Sequence, residues 1–221
     1  DQVGEMFHSF SASSVDNEQN LRSAHTRMME LEMTASVMFD RIVQAGLAPT
    51  HSFMAEKAKE WTREIEQFTE AAMSRGEFSM EQLYDVNYRE VAGSNPKRYT
   101  TQFTDWAHEH WRPILDRIFE SDPCITAAIC TDMNGYKPTH LSQHARQPTG
   151  DLAHDTLHCR QGRIILDPVD KQAKASDASY MMGVARFESD GQSYDVIRMV
   201  YVPFFLGGKR WGNFEIAYVK D

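Results

Sequence analysis

The stretch Thr131–His140, T-D-M-N-G-Y-K-P-T-H, decides how this chain is read. An apolar run, Ile125 to Cys130 (I-T-A-A-I-C), leads into it, and Asn134-Gly135 stands at its centre. An Asn-Gly pair accepts the positive φ angles of a tight hairpin turn at little steric cost, so the pattern predicts strand, turn, strand. Pro138 has no N–H to give to a ladder and cuts the returning strand short. Tyr136 and His140 then fall where regular pairing gives way to loop, a place suited to facing a ligand.

Further along, Tyr180 to Phe187 and Ser193 to Val202 read as strands separated by the hairpin loop Glu188-Ser189-Asp190-Gly191-Gln192. Gly207-Gly208 makes a second tight connection into a strand from Arg210 to Val219. Between His140 and these strands, Leu141 to Ala178 is polar and broken by Gly and Pro, and Ile164 to Leu166 is its one short apolar run. In the other direction the chain reads as helix. Val15 to Gln44 has no Pro or Gly, and Leu21, Ala24, Met28, Leu31, Ala35, Met38 and Ile42 recur at intervals of three and four. Gly46 and Pro49 stop that run. Thr50 or Ser52 caps a second helix, Phe53 to Ser74, closed by Arg75-Gly76. Ser79 caps a short turn through Leu83, and Thr101 or Thr104 opens a third helix, Asp105 to Glu120, which Pro113 either kinks or restarts. The amphipathic N-terminal helices form no core alone and must pack on each other, on a second copy of the chain, or on the domain C-terminal to them. The order predicts an α+β protein: N-terminal long helices, then a five-stranded antiparallel sheet with an irregular crossover on one face.

Composition excludes several function classes. The 221 residues carry a formal charge of -9 and a pI near 5.5, which argues against a nucleic-acid surface and against adhesion to anionic lipid. No apolar run approaches the roughly 20 residues that span a bilayer, and the start has no secretory signal. The chain begins at Asp1, and the expectation is a piece of a longer protein. Three cysteines, Cys124, Cys130 and Cys159, do not make a disulfide framework and suit a reducing, cytoplasmic setting.

The predicted order is that of a PAS-like or Cache-like sensor module, and a run of motifs points the same way. These are A-M-S-R-G-E (72–77), G-S-N-P-K-R-Y-T-T-Q-F (93–103), D-P-C-I (122–125), D-M-N-G-Y-K-P-T-H (132–140), Q-P-T-G-D (147–151), H-C-R-Q-G-R-I (158–164) and G-G-K-R-W-G-N-F (207–214). In this order they resemble the C-terminal domain found downstream of the signalling region in some bacterial methyl-accepting chemotaxis proteins. The resemblance implies a PAS/Cache-like sensor domain over 77–221. It makes 1–76 a helical connector and dimerisation segment joined to an upstream chemotaxis signalling domain. Leu141 departs from the pattern, which has a polar residue there.

Tyr136, His140, Arg146, Arg160, Arg163 and Trp211 combine aromatic walls with cationic donors, a set suited to a small-molecule carboxylate or other anion. A metal or haem sensor is the alternative. His140 and His144 are four residues apart, as are His154 and His158, and Cys159 follows directly, so zinc or non-covalent haem enters as a candidate cofactor. C-x-x-C-H is absent, which argues against covalent haem. Cys159 beside His158 does not make a nucleophile and base, because adjacent side chains rarely aim at one atom; no enzyme is expected.

Overall fold

A computed structural model describes residues 2–188 and 194–219. Of the hairpin loop expected between the first two strands of the meander, Glu188 ends a strand and 189–192 lie outside the described residues. Helix α1 (Gln2–Gln44) is followed by α2 (Pro49–Ser74), which starts on a proline whose missing N–H would have no partner in a first turn anyway. Short α3 (Met80–Leu83) carries a capping box: Gln82 N donates to Ser79 Oγ at 3.2 Å and Ser79 N donates to Gln82 Oε1 at 2.8 Å. A two-stranded ribbon, β1 (Arg89–Glu90) and β2 (Tyr99–Thr100), precedes α4 (Thr104–Glu120), which runs unbroken through Pro113. Then come β3 (Ile125–Asp132), a 3-10 turn (Ser142–His144), α5 (Leu152–His158), α6 (Pro168–Ala175), β4 (Met181–Glu188), β5 (Tyr194–Leu206) and β6 (Lys209–Tyr218). No helix among the described residues is long and apolar enough to cross a membrane.

The architecture is α+β, with an antiparallel sheet of four strands in the order β3-β6-β5-β4. The expected fifth strand after the Asn-Gly turn does not join it. Gly135 takes φ +79 as the turn requires, and Asp132 Oδ1 accepts from Asn134 N at 2.8 Å and Tyr136 N at 2.9 Å. The chain then leaves β3 and pairs with the crossover instead: Ile165 N donates to the Gly135 carbonyl at 3.0 Å and Lys137 N to the Arg163 carbonyl at 3.1 Å. A Cβ on Gly135 would sit 2.2 Å from the Ile165 oxygen, so the close approach needs glycine. The crossover holds more helix than its composition suggests. Asp151 and Asp167 cap α5 and α6 through His154 N at 2.7 Å and Asp170 N at 2.8 Å, but seven and eight residues are too few for periodicity to register.

One face of the sheet carries the main core. Ile65, Ala72, Phe103, Trp111, Leu115 and Ile118 of the α2 and α4 regions pack against Ala128, Cys130, Val200, Val202, Phe204, Phe214, Ile216 and Tyr218, all fully or nearly buried. The strand residues of this set alternate along β3, β5 and β6, as a half-covered pleated sheet requires. The intervening residues face the crossover.

Helix α1 meets the sheet at an edge. Glu32, Ser36, Asp40 and Gln44, each four residues on, face Arg186, Val184, Met182 and Tyr180, each two residues back along β4 and its start. Ser36 Oγ both donates to the Val184 carbonyl and accepts from its N–H, each at 3.1 Å; Asp40 Oδ1 accepts from Met182 N at 2.7 Å; Gln44 Nε2 donates to the Tyr180 carbonyl at 3.2 Å. Four helical residues rise about 6.0 Å and two strand residues about 6.8 Å, so the two rows stay in step over several contacts. Side chains thus satisfy an edge that would otherwise offer free backbone groups. The apolar row expected to bury α1 is a different one. Leu21, Leu31 and Met38 remain 72%, 69% and 59% exposed, because the helix presents its polar row to the strand.

Candidate functional site

The crossover side of the sheet holds a cavity of about 450 Å³. Its floor comes from all four strands: Ile129 and Thr131 of β3, Ala185 of β4, Ile197, Met199 and Tyr201 of β5, Glu215 and Ala217 of β6. Its cover comes from the segment after the Asn-Gly turn and from the crossover: Lys137, His140, His144, Arg160, Ile165, Asp167 and Asp170. Most of the floor is aliphatic, and the charge is sorted into two groups.

The first group is self-contained. Lys174 of α6 donates to Thr131 Oγ1 at 2.7 Å and is hydrogen-bonded to Asp170, with Glu215 Oε1 at 3.4 Å; the Thr131 hydroxyl donates to Glu215 as well. Burial and the Glu215 charge push the Asp170 carboxyl above its usual range, while Lys174 works against them. Such a network supplies its own partners and offers little to a ligand.

The second group is unpaired. Lys137 is only 5% exposed, yet its Nζ makes no hydrogen bond or salt bridge to any described residue. Burial lowers its pKa to about 8; Arg160 and Arg163 add to the effect and Glu215 opposes it. The Arg160 guanidinium likewise has no partner among the described residues, and burial lowers its pKa too. His140 is 1% exposed, and its Nδ1 accepts from Leu141 N at 2.9 Å. That bond assigns the proton to Nε2. Burial, Lys137 and Arg160 hold this imidazole neutral by driving its pKa well below the ordinary value. Lys137, Arg160 and His140 therefore place two cations and one neutral N–H donor on the cover of the cavity, and Tyr201 of the floor adds a hydroxyl with no partner among the described residues. Donors that open on a cavity without a protein acceptor are free to receive an anion entering it.

Compared with known families and curated proteins, the chain matches no family model and no curated sequence. Among solved structures it is similar to the sensory domain of the Campylobacter jejuni chemoreceptor Tlp3 (CcmL). The identity is 10% and the TM-score 0.38, and the match covers 90% of this chain and 63% of that one. The chain thus spans less than two thirds of that structure's length.

Of the six residues singled out for anion binding, His140 and Arg160 line the cavity. Tyr136 lies elsewhere. Its hydroxyl bonds Thr104 Oγ1 at 2.7 Å, and its ring leans on Tyr88 with centroids 5.1 Å apart. Trp211 is on the helix side, where its Nε1 donates to the Leu83 carbonyl at 2.9 Å and its ring meets Trp111 edge-on at 5.2 Å. Strict alternation from Asn213 and Glu215 would put Trp211 on the cavity side. A bulge intervenes: Phe204 pairs with Gly212 and Phe205 with Arg210, so Trp211 is the extra residue and turns over. Arg163 is not among the cavity residues and donates to the Thr156 carbonyl at 3.2 Å; Arg146 is exposed. Tyr136, Arg146 and Trp211 are thus not brought together with His140 and Arg160, whereas Arg163 stands behind the lining, near enough for its charge to act on Lys137, His140 and Arg160.

The proposed metal set is not assembled on one point either. His140, His144, His158 and His154 form a chain of ring neighbours, with successive centroids 5.0, 6.4 and 4.9 Å apart. Among the described residues the group close enough to share an ion is His154, Asp155 and Cys159. Asp155 already accepts from Thr149 N at 2.8 Å, Gly150 N at 3.0 Å and His154 Nδ1 at 3.0 Å, and the Thr149 bond leads in holding its carboxyl well below the usual range. That arrangement clamps the 149–159 loop, with the Asp155 oxygens already engaged by protein donors.

Sequence reasoning missed Lys137, Thr131, Asp170, Lys174, Tyr201 and Glu215. One signal was available. Glu215 interrupts the otherwise apolar or aromatic end of β6, F-E-I-A-Y, and a charge inside such a strand marks a face that is buried without being a hydrophobic core.

Proposed function

We propose that this chain is the sensory domain of a bacterial chemotaxis receptor, a cytoplasmic module that binds a small organic anion between its sheet and its crossover. The observation that carries the binding reading is the unpaired trio of Lys137, Arg160 and the His140 Nε2–H facing an aliphatic cavity. An anionic head on these donors and an apolar body along Ile197, Met199 and Ala217 would match both parts of the lining. The motif run around Asp132–His140 and Gly207–Phe214 supports the chemotaxis context.

Occupancy has a short route to α1. Ala185 lines the cavity and lies between Val184 and Arg186, the residues held by Ser36 and Glu32. A ligand that shifts β4 acts on α1 through those bonds, and the shift is limited by its differential affinity for the two arrangements. The exposed row Leu21, Met28, Leu31, Met38 and Ile42 supports a homodimer through α1, continuous with the upstream signalling domain.

The test is calorimetric titration with acetate, propionate, butyrate and hexanoate. Saturable binding that weakens at least tenfold in Arg160→Gln, with the unliganded melting temperature unchanged, is the expected outcome. Absence of binding across the series contradicts it.

A further inference from the structure

Lys137 is placed for more than an ion pair. A lysine at 5% exposure whose Nζ has no partner among the described residues gives up its proton more easily than an exposed one, and so reaches the neutral amine, the nucleophilic form, more often. Its surroundings favour that form. The groups acting on it are Glu215 and Asp170, which support the charge, and Arg160 and Arg163, which oppose it, as burial does. With a pKa of about 8 rather than the ordinary 10.5, it is neutral roughly 300-fold more often at neutral pH than an exposed lysine. Desolvation beside other cations is a general way to activate a lysine toward carbonyl groups.

Position adds the second requirement. Arg160 faces the same cavity with a free planar fork suited to a carboxylate, and His140 offers a neutral Nε2–H on that wall. We propose that Lys137 forms a reversible imine with the carbonyl carbon of a 2-oxo acid whose carboxylate is held by Arg160. This rests on the anion-binding reading of the same cavity and narrows the ligand to anions bearing a ketone or aldehyde beside the carboxylate.

The step balances without an outside reagent. The amine lone pair forms the C–N bond as the carbonyl π pair moves to oxygen. The two amine protons end on that oxygen, which leaves as water while nitrogen completes the C=N bond. No electrons are gained or lost overall, and addition of water reverses the reaction and frees the ligand. His140 is the neutral donor for the departing oxygen.

The experiment incubates the protein with 2-oxobutyrate and sodium cyanoborohydride near neutral pH, then maps peptides by mass spectrometry. The expected result is a mass gain equal to the oxo acid less one oxygen on Lys137, roughly tenfold or more above any exposed lysine. Excess butyrate should suppress it, and Lys137→Met should lack it. No adduct, or one spread over surface lysines without preference, overturns the proposal. If the wild-type protein binds both butyrate and 2-oxobutyrate calorimetrically yet gives no adduct, the imine falls and the anion site stands. If neither binds, both fall. Should Lys137→Met fail to fold, the wild-type peptide map and its suppression by butyrate decide alone.

Discussion

On the helix side of the sheet each buried indole N–H has an acceptor, Trp111 on Thr69 Oγ1 and Trp211 on the Leu83 carbonyl. On the crossover side the Lys137 Nζ, the Arg160 guanidinium and the Tyr201 hydroxyl reach a cavity, and none of the three has a hydrogen-bond partner among the described residues. The same strands supply both surfaces, with Phe214 and Ile216 facing one way and Glu215 and Ala217 the other. The difference separates two uses of burial. Where polar atoms are satisfied within the fold, burial stabilises; where they open on a void, they are free to receive a ligand.

The largest effect expected is on the packed face. Trp111→Ala removes a fully buried ring and its bond to Thr69, and should cost about 3–5 kcal/mol in denaturant unfolding. A cost below that range would mean the helix-side core is looser than the cavity side. Lys137→Met should do the reverse, stabilising the ligand-free protein at neutral pH by about 3 kcal/mol while removing anion binding. The sign comes from a folded pKa below the unfolded one: the cost of burying the charge is present in full below about pH 8 and fades as pH rises toward 10.5. Wild-type stability should therefore climb relative to the variant across that window, and parallel pH curves would remove the contrast between the faces.

Ser36→Ala tests how the cavity side reaches α1. It strips both bonds from the Val184 backbone and should cost about 1–2 kcal/mol, with hydrogen exchange rising at Val184 and little change in affinity. The smallest effect belongs to Arg146→Ala, an exposed residue outside the cavity, which should move stability by less than about 0.5 kcal/mol and leave binding intact.

The sequence made some of this legible and hid the rest for definable reasons. The long helices, the Ser79 cap, the Asn134-Gly135 turn and the Gly207-Gly208 connection depend on local signals, and all are present. Gly135 handing its carbonyl to Ile165 is not local, so the fifth strand could not be foreseen as a crossover pairing. His140 and Arg160 were singled out because their side chains suit an anion, and both line the cavity. Trp211 was misplaced by a one-residue bulge, and Lys137 was overlooked because a lysine between Tyr136 and Pro138 reads as a solvated loop residue until its burial is seen. On α1 the apolar row was the visible signal, but a polar row at the same four-residue spacing makes the contact with β4.

If the open donors of the crossover face receive an anion, its binding is linked to the protonation of Lys137. Butyrate should be titrated calorimetrically near pH 9 in buffers of different ionisation enthalpy. Binding there should take up a proton as the bound carboxylate recharges Lys137, and the uptake should shrink toward zero well below pH 8. Binding with no proton uptake at either pH would contradict the assignment of the anion to this wall.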